Sequence, residues 1–126
     1  MKILIVDDSA ALRERLAAMF SAIPGLEVVG QAADVPSASA AISELRPDIA
    51  VLDIEMSGGS GIDVLRDLKQ AYPATVAIML TNHPYPQYRQ RCAELGADYF
   101  LCKSTDSKLL IEIGERLAKA KGIIDG

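Results

Sequence analysis

Short apolar runs alternate with amphipathic helical patterns five times along the chain. The runs are Ile3-Leu4-Ile5-Val6, Leu26 to Ala33, Ile49 to Asp53, Thr75 to Leu80 and Asp98 to Cys102. Each is short and nearly continuous in apolar residues, the pattern of strands covered by helices on both faces of a parallel sheet. Between them the spacing turns helical. Leu12, Leu16, Met19 and Phe20 share one face of the first helix. Asp34 is placed to cap the second, with Pro36 in its first turn and Ala38, Ala41, Ile42 and Leu45 inward. Ile62, Leu65 and Leu68 line the third. The fourth starts near Pro84 or Pro86 and packs Tyr88, Cys92 and Leu95. The fifth starts near Thr105, packs Leu109 or Leu110 with Ile113 and Leu117, and ends near Lys119-Ala120-Lys121 before a short tail from Gly122. The pattern predicts an α/β fold: (βα)5, a doubly wound parallel sheet of five strands in the order 2-1-3-4-5.

Polar residues stand where four of these runs end. Asp7-Asp8 follow the first, Asp53 closes the third, Thr81 follows the fourth, and Lys103 follows Cys102 of the fifth. In such a sheet, ligands bind outside the carboxyl ends of the strands, where strand order reverses. Strands one and three flank that reversal, so Asp7, Asp8 and Asp53 should converge. Each residue also has a plainer reading. One aspartate of the pair would cap the first helix, Asp53 would be a loop acid, Thr81 a strand-end hydroxyl and Lys103 a solvated charge. Those readings leave unexplained why all of them fall at the carboxyl ends of different strands.

Composition narrows the chemistry. The chain has 126 residues, half of them hydrophobic, which suits one domain with a core of its own. Acidic residues outnumber basic ones 17 to 13, which argues against nucleic acid as a direct partner. Cys92 and Cys102 lie inside apolar patterns and read as reduced, buried and structural. No apolar stretch is long enough for a signal core or a membrane span. A soluble, cytoplasmic protein is expected.

Three carboxylates within a few ångströms repel one another unless a cation joins them. An all-oxygen donor set suits Mg²⁺, with Mn²⁺ as the alternative ion. With a metal bound, one carboxylate can act as a nucleophile toward phosphorus and form an aspartyl phosphate. A lysine ammonium offsets the phosphoryl charge, and a hydroxyl can then hydrogen-bond the new group.

These residues resemble the receiver domain of bacterial two-component response regulators, the CheY-like family. The matching pieces are ILIVDDS (3–9), IAVLDIEM (49–56), GID (61–63), MLT (79–81) and GADYFLCK (96–103), which together span essentially the whole chain. The resemblance implies that Asp53 is the phosphoacceptor and that Asp7, Asp8, Asp53 and the backbone carbonyl of Glu55 hold Mg²⁺. It implies that Thr81 is the switch hydroxyl, Lys103 the phosphoryl-binding cation and Phe100 the switch aromatic, with Tyr99 on the opposite face of its strand. The partners it implies are a sensor histidine kinase or histidine phosphotransfer protein upstream and a protein target downstream, contacted through the helix 4–strand 5–helix 5 surface. A homodimer through helices 4 and 5 stays open. The only catalysis expected is the chain's own phosphotransfer and autodephosphorylation.

The chain departs from the family pattern at several positions. Ser57 and two glycines stand where a proline is usual, so the loop after Asp53 is expected to be more mobile. Asn82 and His83 follow the switch threonine where a small residue is usual. Asn82 is expected to narrow access to Asp53, and His83 reads as a surface loop residue. Ser104 replaces a cis-proline, and a non-proline cis bond costs about 2.5–4 kcal/mol, so a trans Lys103–Ser104 bond is expected.

Residues 1–126 are expected to form a single receiver without an output domain. The alternatives are a receiver cut from a DNA-binding regulator, a phosphorylation-independent interaction module, a Mg²⁺-dependent aspartyl-phosphate phosphatase and a flavodoxin-like electron carrier. A phosphatase generally needs a longer chain and a cap. A flavin carrier needs a hydroxyl-rich loop after the first strand, where this chain has Asp7-Asp8-Ser9.

Overall fold

Five parallel strands form the centre of the molecule, in a computed structural model that describes residues 1–125, with side chains described for 1–120. In chain order the elements are β1 (Lys2–Val6), α1 (Ala10–Ser21), β2 (Glu27–Ala32), α2 (Val35–Leu45), β3 (Ile49–Asp53), β4 (Glu55–Met56), β5 (Gly59–Ser60), α3 (Gly61–Ala71), β6 (Val76–Thr81), α4 (Pro86–Glu94), β7 (Tyr99–Cys102) and α5 (Ser107–Asp125). The large sheet runs β2-β1-β3-β6-β7, which is the 2-1-3-4-5 order expected from the pattern. Beta-branched runs buried on both sides require a helical layer on each face.

Alternation along the strands builds those two layers. Ile3, Ile5, Ile49, Val51, Ile78 and Leu80 point to one face and pack with Leu16 and Phe20 of α1 and Leu110 and Ile113 of α5. Leu4, Val6, Ala50, Leu52, Ala77 and Met79 point to the other and pack with Ile42, Val64, Leu65, Leu68 and Cys92. Tyr99 joins the first cluster and Phe100 the second, as strand alternation requires.

Local chemistry sets where the helices start. The Ser9 hydroxyl accepts from the Leu12 N–H at 3.2 Å, Asp34 Oδ1 from Ser37 N–H at 2.8 Å, and Ser60 Oγ from Ile62 N–H at 3.1 Å. Ser9, and neither Asp7 nor Asp8, therefore caps α1. At the far end of the sheet, Lys69 Nζ donates to the Thr75 carbonyl at 2.6 Å and to Asp98 Oδ2 at 2.9 Å. Asp98 Oδ2 also accepts from the Ala77 N–H at 2.8 Å, which ties α3 to the β6–β7 pair.

Four expectations change. The glycine-rich loop after Asp53 is a small antiparallel hairpin, in which Glu55 pairs with Ser60 and Met56 with Gly59. Gly58 (φ 78°) and Gly59 (φ 141°) make its turn, a conformation that residues with a Cβ rarely adopt. Helix α5 begins at Ser107 rather than Thr105, because Asp106 turns back so that its carboxylate accepts the Cys102 N–H at 2.7 Å. The same helix continues to Asp125 instead of ending near Lys121, since a helical glycine costs only about 1 kcal/mol and does not by itself end a helix. Cys102 is half-buried rather than buried, because it ends a strand beside an exposed turn; Cys92 is fully buried as expected. The peptide bonds of the described residues are trans, Lys103–Ser104 included. Among the described residues, no helix is long and apolar enough to cross a membrane.

Candidate functional site

The carboxyl ends of β1, β3, β6 and β7 meet at one edge of the sheet. β1 lies between β2 and β3, so the chain winds outward in both directions from the β1–β3 pair. That reversal opens the crevice where Asp7, Asp8 and Asp53 come together, each with a carboxylate oxygen within 4.8 Å of the others. Asp7 (2% exposed) and Asp53 (3%) are buried, whereas Asp8 faces solvent.

The strand-end lysine reaches into the same crevice. Lys103 Nζ lies 2.7 Å from Asp7 Oδ2 and 3.1 Å from Asp53 Oδ1. Backbone groups hold the acids in place. The Ser9 N–H donates to Asp7 Oδ1 at 2.9 Å, and the Glu55 N–H to Asp53 Oδ1 at 3.3 Å. Arg13, which the sequence did not single out, donates from Nη1 to the Asp7 carbonyl at 2.7 Å. Its position one turn into α1 was the only available signal. Asn82 lines an open cleft together with Asp7, Asp8 and Lys103.

Burial, then the neighbouring Asp7 carboxylate, push the Asp53 carboxyl up to about 6, against the opposing pull of Lys103. Burial pulls the Lys103 ammonium down, but the Asp7 and Asp53 carboxylates outweigh it and hold it above its ordinary value. One ammonium therefore does not balance the acids. The donor set is oxygen throughout, and the excess of negative charge is what a hard divalent cation relieves. The residues fit Mg²⁺.

Thr81, the last residue of β6, is fully buried. Its hydroxyl donates to Glu55 Oε1 at 3.2 Å and accepts from the His83 N–H at 2.9 Å. His83 Nδ1 lies 2.7 and 2.8 Å from the two oxygens of the same Glu55 carboxylate. His83 is thus exposed, as a surface residue would be, but tied to Glu55. For Glu55 the resemblance implied only a backbone carbonyl. Its side chain reaches across to Thr81 at the end of β6 and to His83 just beyond it, contacts between residues 26 and 28 apart that no local pattern could show. Phe100 is half-buried at the edge of the core, with the Arg89 guanidinium 4.5 Å above its ring, a cation–π contact.

Cys102 neighbours this site and differs chemically from Cys92. The Ser104 hydroxyl, 3.3 Å from its sulfur, holds the Cys102 thiol below the ordinary thiol range, whereas burial pushes Cys92 up. Thiolate character and access both favour attack at Cys102. Iodoacetamide should alkylate Cys102 first in the native protein and Cys92 only after unfolding. Peptide mass mapping showing equal labelling would contradict this.

A family model described as "Response regulator receiver domain" matches residues 3–114. The chain belongs to the response regulator receiver domain family. The receiver is 30% identical over 125 residues to the DNA-binding transcriptional activator DevR/DosR of Mycobacterium tuberculosis, covering 99% of this chain and 58% of that protein. It is 36% identical over 123 residues to a protein-glutamate methylesterase/protein-glutamine glutaminase of Caulobacter vibrioides, covering 96% of this chain and 36% of that one. It superposes on the crystal structure of a LuxR-family two-component response regulator from Aurantimonas with a TM-score of 0.85 and 30% identity, covering 94% of this chain and 85% of that one. The receiver thus spans less than two thirds of the curated relatives it matches. The same stretch of this chain matches a protein named as a transcriptional activator in one relative and as a methylesterase in another.

Proposed function

We propose that this receiver is a phosphorylation switch in which Asp53 accepts a phosphoryl group from the phosphohistidine of a partner kinase or phosphotransfer protein. The observation that carries this reading is Asp53 itself, buried at the end of β3 between the Asp7 carboxylate and the Lys103 ammonium. An Asp53 oxygen attacks phosphorus, the P–O bond forms as the P–N bond of the donor breaks, and the departing imidazole takes a proton. Lys103 offsets charge on the phosphoryl oxygens. Asp7, Asp8, Asp53 and the Glu55 carbonyl would hold Mg²⁺, which when bound neutralises the carboxylates and the transferred group.

The new group adds roughly −1.5 to −2 charge and three acceptor oxygens. Thr81 turns its hydroxyl to one of them, Phe100 moves into the space behind, and the α4–β7–α5 surface changes toward a protein target. This is a packing switch biased by local charge.

Intact mass after incubation with acetyl phosphate tests the reading. Wild type should gain one phosphoryl adduct with Mg²⁺ and none with EDTA, and Asp53→Asn should gain none in either condition. An unmodified wild type over a range of times and donors would favour a phosphorylation-independent interaction module instead.

A further inference from the structure

Thr81 has one hydroxyl proton, and in the resting chain that proton is committed to Glu55. The acceptor is itself fixed. His83 Nδ1 sits between both Glu55 carboxylate oxygens, and the His83 N–H occupies the Thr81 oxygen. The three residues close a ring that joins the β3–α3 connection to the end of β6. The ring extends toward the fourth helix. His83 stacks on Tyr85 with centroids 5.6 Å apart and planes at 20°, and Tyr85, immediately before α4, lies 5.4 Å from Tyr88 within it. A Thr81 hydroxyl that serves Glu55 cannot at the same time serve a group on Asp53.

We propose that Glu55 and His83 form a clasp that withholds the Thr81 hydroxyl in the resting chain, and that opening the clasp is a step every activation of this switch must include. The proposal rests on the phosphoacceptor reading of Asp53 and adds its regulation. His83 is a positioning residue here: it touches no reacting atom and acts by keeping the Glu55 carboxylate on Thr81. The stack of His83 on Tyr85 makes the same event felt at the start of α4. The clasp thereby couples the chemistry at the sheet edge to the surface that changes.

Beryllofluoride, a phosphoryl mimic that binds carboxylates, separates the steps without a kinase. Its affinity with Mg²⁺ is measured for wild type, His83→Ala, His83→Asn, Thr81→Ala and the His83→Ala/Thr81→Ala double variant. Losing the clasp should tighten beryllofluoride binding to His83→Ala by about three- to five-fold, the scale of one protein hydrogen bond no longer broken on binding. His83→Asn places an amide donor where Nδ1 stood and should bind within about two-fold of wild type. In the Thr81→Ala background, removing His83 should change nothing, because there is no hydroxyl left to withhold. An equal gain with and without Thr81, or no gain at all, overturns the clasp while leaving the phosphoacceptor reading standing. Failure of wild type and every variant to take up beryllofluoride overturns both.

Discussion

Asp53→Asn should make the metal-free protein more stable at neutral pH than wild type, by about 2 kcal/mol and at most about 3. In the native state the Asp53 carboxyl is pushed from an ordinary 3.8 up to about 6, by burial first and by Asp7 second. Between those two values the folded chain binds more protons than the unfolded chain. Stability therefore falls as pH rises through that window, and the deficit is complete above it. An asparagine keeps the shape, ionises at no pH and removes the deficit. The check is urea unfolding in EDTA from pH 3.5 to 8, with the two proteins compared at each pH. Their difference should be near zero below pH 4, grow through pH 5 and level off by about pH 7. A difference that does not vary with pH would mean that Lys103 already neutralises Asp53 in full. Mg²⁺ should restore much of the wild-type deficit and little of the variant's, because binding to the native state alone adds stability by mass action. Such a site sacrifices resting stability for a buried, poorly solvated carboxylate. In the proposed phosphoacceptor role, the same poor solvation would favour attack by Asp53 once its charge is shared with a cation.

Gly61→Ala should cost about 3 kcal/mol or more and should damage the site together with the fold. Gly61 opens α3 directly after the β4–β5 hairpin, and its N–H donates to the Ile54 carbonyl at 2.8 Å. A Cβ there would overlap the Asp53 carbonyl oxygen and press on the Ile54 Cα at 3.1 Å. Both obstacles are backbone in the segment that carries Asp53, so relief requires the strand end to move. The backbone angle of Gly61 is ordinary; close approach alone demands glycine here. Gly58 provides the contrast. It has φ 78° and open space nearby, with the Pro36 Cδ at 3.8 Å, so Gly58→Ala should cost only about 1 kcal/mol in backbone strain. Chemical denaturation of both variants, with acetyl phosphate uptake in the same samples, checks the pair. A Gly61→Ala protein within 1 kcal/mol of wild type, modified at the normal rate, would show that the strand end yields more easily than backbone contacts suggest.

The position of Arg89 bears on the same surface. An arginine over the Phe100 ring holds the aromatic at the edge between α4 and β7 in the resting chain. That contact links the ring to α4, and the His83–Tyr85 stack links His83 to the start of the same helix.

Hydrophobic patterning by itself determined the alternation of strands and helices and the two covering layers, which follow from periods of two and 3.6 between near neighbours. The winding rules of parallel sheets allow the 2-1-3-4-5 order that brings Asp7, Asp8 and Asp53 together, and strand pairing across the chain realises it. The Asp34 cap and the face of α1 were equally local, and both are as expected. Strand alternation likewise places Tyr99 and Phe100 on opposite faces of the sheet. The misjudged features depend on contacts across the chain or on energies too small to read from a pattern. Apolar neighbours suggest a buried Cys102, but it ends β7 beside an exposed turn and is only half-buried. The start of α5 was decided by Asp106 bonding back to Cys102. Gly122 was too weak a signal to end α5. The role of the Glu55 side chain, the tie to His83, the support from Arg13 and the tight approach of Gly61 to Asp53 exist only where distant segments meet. Side-chain reach and backbone clearance at the sheet edge have no periodicity, so only the tertiary structure decided them.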